Sequence, residues 1–309
     1  MACRRLDAKC LSDLLKDIDY FLLDIDGVIW NAAGDIQGSR EAVETLQTLR
    51  AVIFLSNCSC LTREEFVSNF EELGYNVKPG QIYGTAYAVA SYLKDTRFRG
   101  KVYVMGTPSI GKELDKFGIK HTGIGVDKDP VGATCRPTDL THLSLDPEVN
   151  CVIVGYDNYF NISKLQKAVN YIARGAISLA THEDLCYPTT DGLVTIDAGV
   201  LVAAVGEATG KTPILIGKPS RIILEQIRRD AHQLDPSRCC LIGDSLSTDI
   251  ALAARCGMRS ILVLTGQSTQ KDVDGINCGD GGGDGFVPDY YIDGLGDIVT
   301  LLRQGEASG

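Results

Sequence analysis

Short apolar runs alternate with segments of helical periodicity along most of the chain, and this alternation constrains the fold more than any other feature. The first cycle consists of YFLLDIDGVIW, SREAVETLQTLR, AVIFLSN and TREEFVSNFEELG. The pattern returns near the end as SRIILEQIRRDAHQLD, CCLIGDS, DIALAARCG, RSILVLTG and DYYIDGLGDIVTLLRQ. Apolar strands that alternate with helices predict a parallel sheet covered by helices on both faces.

A second alternating series separates these two parts of the chain. It includes TAYAVASYLK, KVYVMG, SIGKELDKFG, CVIVGYD, ISKLQKAVNYIARG, ISLAT and AGVLVAAVGEATG, and it is too long to be a loop. We therefore predict an α/β protein with a Rossmann-like, doubly wound parallel sheet formed by residues 1–83 and 213–309, and an inserted α/β domain at 84–212. The glycine-rich stretch at 275–285 lacks apolar periodicity and is predicted to be a surface loop.

Composition excludes several classes of protein. The chain has 309 residues, 44% of them hydrophobic, which is typical of a globular protein. Its formal net charge of −10, without a cluster of Lys and Arg, argues against a general nucleic-acid binder. No apolar stretch approaches the roughly 20 residues of a membrane span, and no targeting segment is expected. Eleven scattered cysteines without a Cys-x-x-Cys pair indicate thiols in a reducing cytoplasm.

Two aspartates, Asp24 and Asp26, end the first apolar run, where buried strands rarely carry charge. Ligands of an open parallel sheet bind outside the carboxyl ends of its strands, which is where these side chains lie. Gly27 allows the backbone to turn sharply after them. Two adjacent carboxylates repel each other unless a cation lies between them or one is protonated. The alternative interpretation is a strand end that carries two solvated acids.

Polar residues follow three further apolar runs: Ser56 and Asn57 in FLSNCS, Lys218 in LIGKPS, and Asp244 with Asp249 in CCLIGDSLSTDI. The Ser56 hydroxyl and the Asn57 amide are suited to holding phosphate oxygens. Each stretch alone also has an ordinary explanation. Ser-Asn is common turn chemistry, a single lysine is usually a solvated surface charge, and an acid near a helix N-terminus is favoured by the helix dipole.

Taken together, DIDGV, LSN, GKP and GDSLSTD resemble, in order, the four motifs of the haloacid dehalogenase superfamily. The insertion, with VGYD, THEDLCYP and AGVLVAA, is similar to the branch that contains 4-nitrophenylphosphatase, phosphoglycolate phosphatase and pyridoxal phosphatase. The resemblance covers about residues 20–302. The sequence departs from the usual residues of this branch at Cys58, Ser59, Cys60, His182, Ser245 and Ser247.

The resemblance implies a magnesium-dependent phosphatase that hydrolyses small phosphomonoesters through an aspartyl-phosphate. Asp24 would attack phosphorus, and Asp26 would protonate the leaving oxygen and then activate water. Asp249 would orient Lys218 or a metal-bound water. The implied phosphate-binding residues are Ser56, Asn57 and Lys218. The implied metal site comprises Asp24, Asp26 (through its backbone carbonyl), Asp244 and Asp249.

The inserted domain would act as a cap that recognises the substrate, a small phosphorylated metabolite, and would carry the contact of a homodimer. Its loop THEDLCYPTTDG contains His182 and Tyr187, which are either substrate contacts or ordinary surface residues. Two alternatives to the phosphatase stay open: a phosphomutase on the same scaffold, and a non-enzymatic regulatory protein that binds phosphate. A dehalogenase is disfavoured because it would not keep the second aspartate of DID.

Overall fold

The computed structural model describes residues 3–127, 143–188, 193–231, 234–278 and 286–307. The chain divides into two compact units. The first unit comprises residues 1–56, 63–83 and 218–309, and the second unit comprises 57–62 and 84–217. Each unit contains its own parallel sheet.

The N-terminal part of the first unit alternates strands and helices as the sequence predicts. Its elements are β1 (Arg4–Arg5), α1 (Ala8–Asp17), β2 (Tyr20–Asp24), β3 (Trp30–Asn31), β4 (Gly34–Asp35), α2 (Ser39–Leu49), β5 (Ala51–Ser56), α3 (Arg63–Glu72) and β6 (Ile82–Gly84). Helix α3 closes at Gly74, whose φ of +82° is the left-handed conformation that glycine adopts without a Cβ penalty. The Tyr75 amide then donates to the Phe70 carbonyl at 2.8 Å.

The second unit is a five-stranded sheet with helices between its strands. Its elements are α4 (Thr85–Asp95), β7 (Lys101–Met105), α5 (Pro108–Lys116), β8 (Lys120–Thr122), β9 (Val149–Val154), α6 (Ile162–Ala173), β10 (Ile177–Ala180), β11 (Cys186–Pro188), β12 (Val194–Ile196), α7 (Ala198–Thr209) and β13 (Ile214–Leu215). The strand order is β13-β10-β9-β7-β8, and β11 pairs with β12 in a separate antiparallel ribbon.

The second unit ends at Gly217, whereas the sequence places the end of the inserted domain at residue 212. The difference arises from strand β13, which pairs in parallel with β10 so that Ile214 lies opposite Leu179. The short apolar run of LIGKPS does not reveal which of the two sheets it joins, so the sequence alone assigns it to the first domain. Residues 57–62 also belong to this unit, and their contacts to it are non-local in sequence.

The chain then returns to the first unit and completes its sheet. The remaining elements are α8 (Arg221–Asp230), β14 (Cys239–Gly243), α9 (Ala251–Cys256), β15 (Arg259–Val263), α10 (Gln270–Cys278), β16 (Tyr290–Ile292) and α11 (Asp297–Ala307). The seven strands follow the order β1-β16-β15-β14-β2-β5-β6.

Strands β2 and β14 are neighbours in the middle of this sheet, although they are far apart in sequence. They pair in parallel, with Leu22 opposite Leu241 and Leu23 opposite Ile242. These four side chains are completely buried, as expected for strands covered on both faces. The predicted α/β, doubly wound fold is confirmed. Because parallel strands end at the same edge, Asp24 and the residue after Gly243 lie at one edge of the sheet.

The predicted glycine-rich surface loop at 275–285 is wrong in its first part. Helix α10 continues to Cys278, so residues 275–278 are helical, and residues 279–285 lie outside the described residues. The helix is held by the buried side chain of Val273 and by Asn277. The Asn277 side chain accepts from the Cys3 amide at 2.8 Å and donates to the Cys3 carbonyl at 3.1 Å.

Among the described residues, no helix combines the length and the apolar character needed to cross a membrane. The cysteines in the same ranges form no disulfide bond.

Candidate active site

Four buried charged residues meet at the carboxyl edge of the first unit's sheet. The Lys218 ammonium lies 2.6 Å from Asp24 Oδ1 and 2.8 Å from Asp249 Oδ1. Asp24, Asp244 and Asp249 each offer a carboxylate oxygen, and these three oxygens lie within 4.8 Å of one another. The structure thus brings together four of the residues that the sequence predicts for the site.

A π-helical turn over Leu246–Ile250 carries Asp249 back towards the end of β14. The amides of Asp249 and Ile250 both donate to the Ser245 carbonyl, at 3.0 and 3.1 Å. Asp249 Oδ2 in turn accepts from the Ser245 amide at 3.2 Å. A Cβ atom on Gly243 would lie only 2.2 Å from Asp249 Cγ, so the approach of this carboxylate requires a glycine there. Single-turn π segments are frequent at functional sites.

The loop after β15 holds Asp244, and the sequence analysis missed its role. The Gln267 amide donates to Asp244 Oδ2 at 2.6 Å, and the Ser268 amide donates to the Asp244 carbonyl at 3.0 Å. A Cβ on Gly266 would lie 1.8 Å from Asp244 Oδ2, and one on Gly27 would lie 2.4 Å from it. The sequence feature that could have indicated this role is LVLTGQS, where another strand of the parallel sheet is followed by a glycine.

Burial and mutual repulsion change the ionisation of this cluster. Burial, reinforced by the charge of Asp249, raises the pKa of Asp24 well above its usual range, although Lys218 opposes the shift. The same two causes raise the pKa of Asp244 to about 6. Burial alone would lower the pKa of Lys218, but the charges of Asp24 and Asp249 outweigh it and raise the pKa.

The donor set of the cluster fits a hard divalent cation. Three buried carboxylates lie around the Lys218 ammonium, and these four groups together carry two excess negative charges when all are ionised. Such an excess is costly in a buried site unless a cation compensates it. Carboxylate oxygens are the ligands that Mg²⁺ prefers. Asp24, Asp244 and Asp249 therefore form a site suited to magnesium.

Asp26 lies beside this cluster and is held at both carboxylate oxygens. Ser56, at the end of β5, donates from its hydroxyl to Asp26 Oδ2 at 3.1 Å. Strand β5 is the neighbour of β2, with Leu55 opposite Asp24, so adjacent strand ends bring Ser56 and Asp26 together. Trp30, which the sequence analysis did not single out, donates from Nε1 to Asp26 Oδ1 at 3.0 Å.

Asn57 belongs to the second unit, where its side chain forms a structural contact. Its Nδ2 donates to Asp184 Oδ2 at 2.9 Å, and its carbonyl accepts from the Thr85 hydroxyl at 2.6 Å. These contacts fix the conformation of the residue that follows Ser56. Its role as a phosphate ligand stays a prediction.

The two other residues predicted for substrate binding, His182 and Tyr187, also lie in the second unit. His182 is buried, with Nδ1 3.1 Å from Asp184 Oδ2 and Nε2 3.5 Å from Asp197 Oδ1. Its ring therefore contacts two carboxylates of its own unit. Tyr187 lies in strand β11 of the antiparallel ribbon. Contact of either side chain with substrate stays a prediction.

Comparison with known proteins agrees with this geometry. A family described as haloacid dehalogenase-like hydrolase matches residues 21–120, and a second family of similar hydrolases matches residues 215–298. The chain is 35% identical to glycerol-3-phosphate phosphatase of Homo sapiens, over 97% of this chain and 96% of that protein. It is 32% identical to chronophin of Rattus norvegicus, over 97% of this chain and 93% of that protein.

Among solved structures, the p-nitrophenyl phosphatase from Archaeoglobus fulgidus matches with a TM-score of 0.78 and 27% identity. The match covers 93% of this chain and 100% of that chain. Fold and site together define a hydrolase of phosphoric monoesters built on a parallel α/β sheet. The chain belongs to the haloacid dehalogenase-like hydrolases, and it is a phosphatase.

Proposed function

We propose that this phosphatase hydrolyses small phosphomonoesters in a magnesium-dependent reaction that passes through an aspartyl-phosphate on Asp24. The observation that carries the proposal is the contact of Lys218 with both Asp24 and Asp249 at the edge of the sheet. A buried lysine held against the nucleophile places positive charge where the oxygens of a transferring phosphoryl group would lie. Asp249 keeps that ammonium in place through its own contact of 2.8 Å.

Asp24 is the proposed nucleophile because its carboxylate is fixed and partly enclosed. Its Oδ1 accepts from the Ile25 amide at 2.8 Å and contacts Lys218. Attack of a carboxylate oxygen on phosphorus forms a covalent intermediate, which divides one difficult displacement into two easier ones. Mg²⁺ held by Asp24, Asp244 and the backbone carbonyl of Asp26, with Asp249 nearby, would supply positive charge that reduces the repulsion between two anions.

Asp26 is the proposed general acid and base. Its carboxyl group would give a proton to the leaving oxygen in the first step and take a proton from water in the second. The hydrogen bonds from Ser56 and Trp30 support this assignment, because they fix the orientation of the group that exchanges the proton. Ser56 and Lys218 are the proposed phosphate-binding side chains, together with the Asn57 amide.

The substrate class follows from the relatives and stays part of the proposal. We propose phosphoglycolate, pyridoxal phosphate and glycerol phosphate as the first natural esters to test, with 4-nitrophenyl phosphate as the laboratory substrate. Curated relatives that include a glycerol-3-phosphate phosphatase motivate the third ester. A homodimer formed through the inserted domain and a cytoplasmic location stay predictions.

The test separates the two aspartates of the DID stretch. Asp24→Asn should be inactive towards every ester, because an amide is not a nucleophile. Asp26→Asn should still transfer the phosphoryl group from 4-nitrophenyl phosphate, whose leaving group departs as a stable anion, but should then fail to activate water. The expected result is a burst of nitrophenol and a protein mass increase of about 80 Da, one phosphoryl group, located on Asp24 by peptide mass spectrometry.

Asp26→Asn could instead show neither a burst nor a modified peptide while the wild type turns over normally. That result would favour direct attack by water and reverse the proposed roles. A phosphomutase would instead yield a rearranged ester in place of inorganic phosphate. Release of inorganic phosphate from each ester is therefore measured in the same experiment.

A further inference from the structure

Trp30 contacts Asp26, the proposed general acid, although it lies outside the four motifs that the sequence shows. Its indole Nε1 donates to Asp26 Oδ1 at 3.0 Å, while the Ser56 hydroxyl donates to Oδ2 at 3.1 Å. The terminal torsion of an aspartate is otherwise broad. Two donors on opposite oxygens restrict that torsion to one orientation of the carboxyl plane.

The backbone turn after β2 returns Trp30 to the side of Asp26. The Ile25 carbonyl accepts from the amides of Ile29 and Trp30, at 2.8 and 3.3 Å. The Gly27 amide donates to the Trp30 carbonyl at 2.7 Å, and its φ of +84° is a conformation that favours glycine. The contact between indole and carboxylate is therefore built into the local fold.

Aromatic packing fixes the indole plane. The ring centroids of Trp30 and Phe70 lie 4.8 Å apart, tilted by 56°. Phe70 of helix α3 is completely buried and also packs against Phe54 and Tyr75, with centroids 4.8 and 5.5 Å away. The Tyr75 hydroxyl donates to Asp35 in strand β4, which pairs with the strand that begins at Trp30. The indole is thus held between its hairpin and α3.

The chemistry of the two donors distinguishes the two oxygens of Asp26. An indole N–H is a donor only, and the carbonyl-type oxygen of a protonated carboxyl group is its better acceptor, so the contact with Oδ1 favours the exchangeable proton on Oδ2. A serine hydroxyl both donates and accepts, so Ser56 tolerates a proton on Oδ2. As Asp24 forms its bond to phosphorus and the ester P–O bond breaks, the proton on Oδ2 moves to the departing oxygen, which keeps the electron pair of the broken bond.

We infer that Trp30 is a positioning residue that orients the Asp26 carboxyl group and reserves Oδ2 for proton transfer. The inference rests on the proposed function, in which Asp26 is the general acid. If the proton of Asp26 is misdirected, hydrolysis should slow most for an ester whose leaving oxygen needs that proton.

The test compares two esters in Trp30→Phe, which keeps an aromatic ring against Phe70 but removes the donor. The kcat/KM for glycerol phosphate should fall about tenfold, because a misaligned catalytic group loses much of its effect. The kcat/KM for 4-nitrophenyl phosphate should change less than about twofold, because its leaving group departs without a proton. Tyr290→Phe, which removes a hydroxyl from strand β16 of the same unit without touching Asp26 or the aromatic cluster, should leave the ratio of the two values unchanged.

Trp30 is the chain's single tryptophan, which allows a second and milder variant. Growth of a tryptophan auxotroph on benzothienylalanine replaces the indole N–H by sulfur at this position with nearly the same ring shape. The substituted protein should show the same selective loss of kcat/KM for glycerol phosphate as Trp30→Phe. In a ¹H–¹⁵N spectrum of the wild type, the one indole signal should move when Asp26 is changed to alanine.

Two results overturn the inference in distinguishable ways. A wild-type ratio of the two esters in both Trp30 variants, together with a changed ratio in Asp26→Asn, would reject the positioning role and leave the proposed function intact. An unchanged ratio in Asp26→Asn would reject the acid role of Asp26, and with it the premise of the inference, even if the indole signal still responds to Asp26→Ala.

Discussion

His182 shows how a single residue in this chain acquires an ionisation set by its neighbours. Burial alone would lower the pKa of its imidazole, but interaction with Asp184 and the charge of Asp197 outweigh burial and raise the pKa above its usual range. Asp197 also caps helix α7, because its side chain accepts from the Ala198 amide at 2.6 Å. The His182 ring therefore links the loop after β10 to the start of α7.

This contact predicts a pH dependence of stability with a definite sign. A folded-state pKa above the unfolded one means that the contribution of His182 to the free energy of unfolding is complete below the unfolded pKa of about 6.5. That contribution is lost as the pH rises through the folded pKa. The difference in free energy of unfolding between wild type and His182→Asn, measured with urea, should shrink as the pH is raised above about 6.5.

An NMR titration of the histidine rings provides the direct check. The signal that is missing in His182→Asn should titrate above the ordinary value. A His182 that titrates below the ordinary value would contradict the ion-pair assignment.

At the scale of elements, the site is made by short turns that follow ordinary strands. The strands only bring Asp24, Ser56 and Gly243 to one edge, while the turns decide where the carboxylates point. The π-helical turn over Leu246–Ile250 directs Asp249 towards Lys218. The position of this turn depends on Gly243, because a side chain there would collide with Asp249. This close approach is a contact between two segments, and neither segment shows it alone.

Gly243→Ala should therefore damage the site without disturbing the sheet pattern. Its Cβ would lie 2.2 Å from Asp249 Cγ, so the turn must move. We expect a loss of about 1–3 kcal/mol in the free energy of unfolding, as for an overpacked core, and a fall in kcat of about 100-fold as Lys218 loses its fixed partner. Chemical denaturation and steady-state kinetics measure the two effects.

Gly275→Ala is the matched control. Gly275 lies in helix α10 with open space around the position of its Cβ, so the substitution should stabilise the protein by about 0.5–1 kcal/mol and leave kcat unchanged. A destabilised Gly275→Ala would contradict the helical assignment of this segment. A fully active Gly243→Ala would show that the contact with Asp249 is dispensable.

The sequence was sufficient to predict the central strands, most helices and the acidic and basic residues that follow apolar runs, because these depend on local periodicity and on parallel pairing. It did not reveal Gly266 and Gln267 as partners of Asp244, or Trp30 as a partner of Asp26. Those contacts depend on where loops from different strands meet in space. The pairing of the two-residue strand β13 with β10 was also missed, because so short an apolar run does not show which sheet it joins.

For the whole molecule, negative charge is the property that links the acidic cluster to stability. The chain carries a formal net charge of −10, yet it buries three carboxylates in one cluster with a single ammonium. A divalent cation bound there would reduce the repulsion among those carboxylates and stabilise the folded state by mass action. All three carboxylates belong to the first unit, so the stabilisation originates in that unit.

Magnesium should therefore raise the thermal stability of the protein as well as support catalysis. At about 100 times the dissociation constant, binding contributes about 2.7 kcal/mol to the free energy of unfolding, which raises Tm by several degrees. Sodium chloride at equal ionic strength controls for screening of the net charge. Asp244→Asn should lose most of the increment, and full turnover in excess EDTA would contradict the metal assignment.

The order of strands in the first unit also determines when an active enzyme exists during its synthesis. Strand β2 leaves the ribosome early, but its neighbour β14 begins at Cys239, after the entire inserted unit. At roughly 5–20 residues per second, the codons between Asp24 and Asp244 take roughly 10–45 s to translate. During that interval Asp24, the proposed nucleophile, has no carboxylate partner from β14, while the strands of the second unit are being translated. A chain that ends before Asp244 lacks one of the proposed metal ligands, and we expect such a chain to have no phosphatase activity.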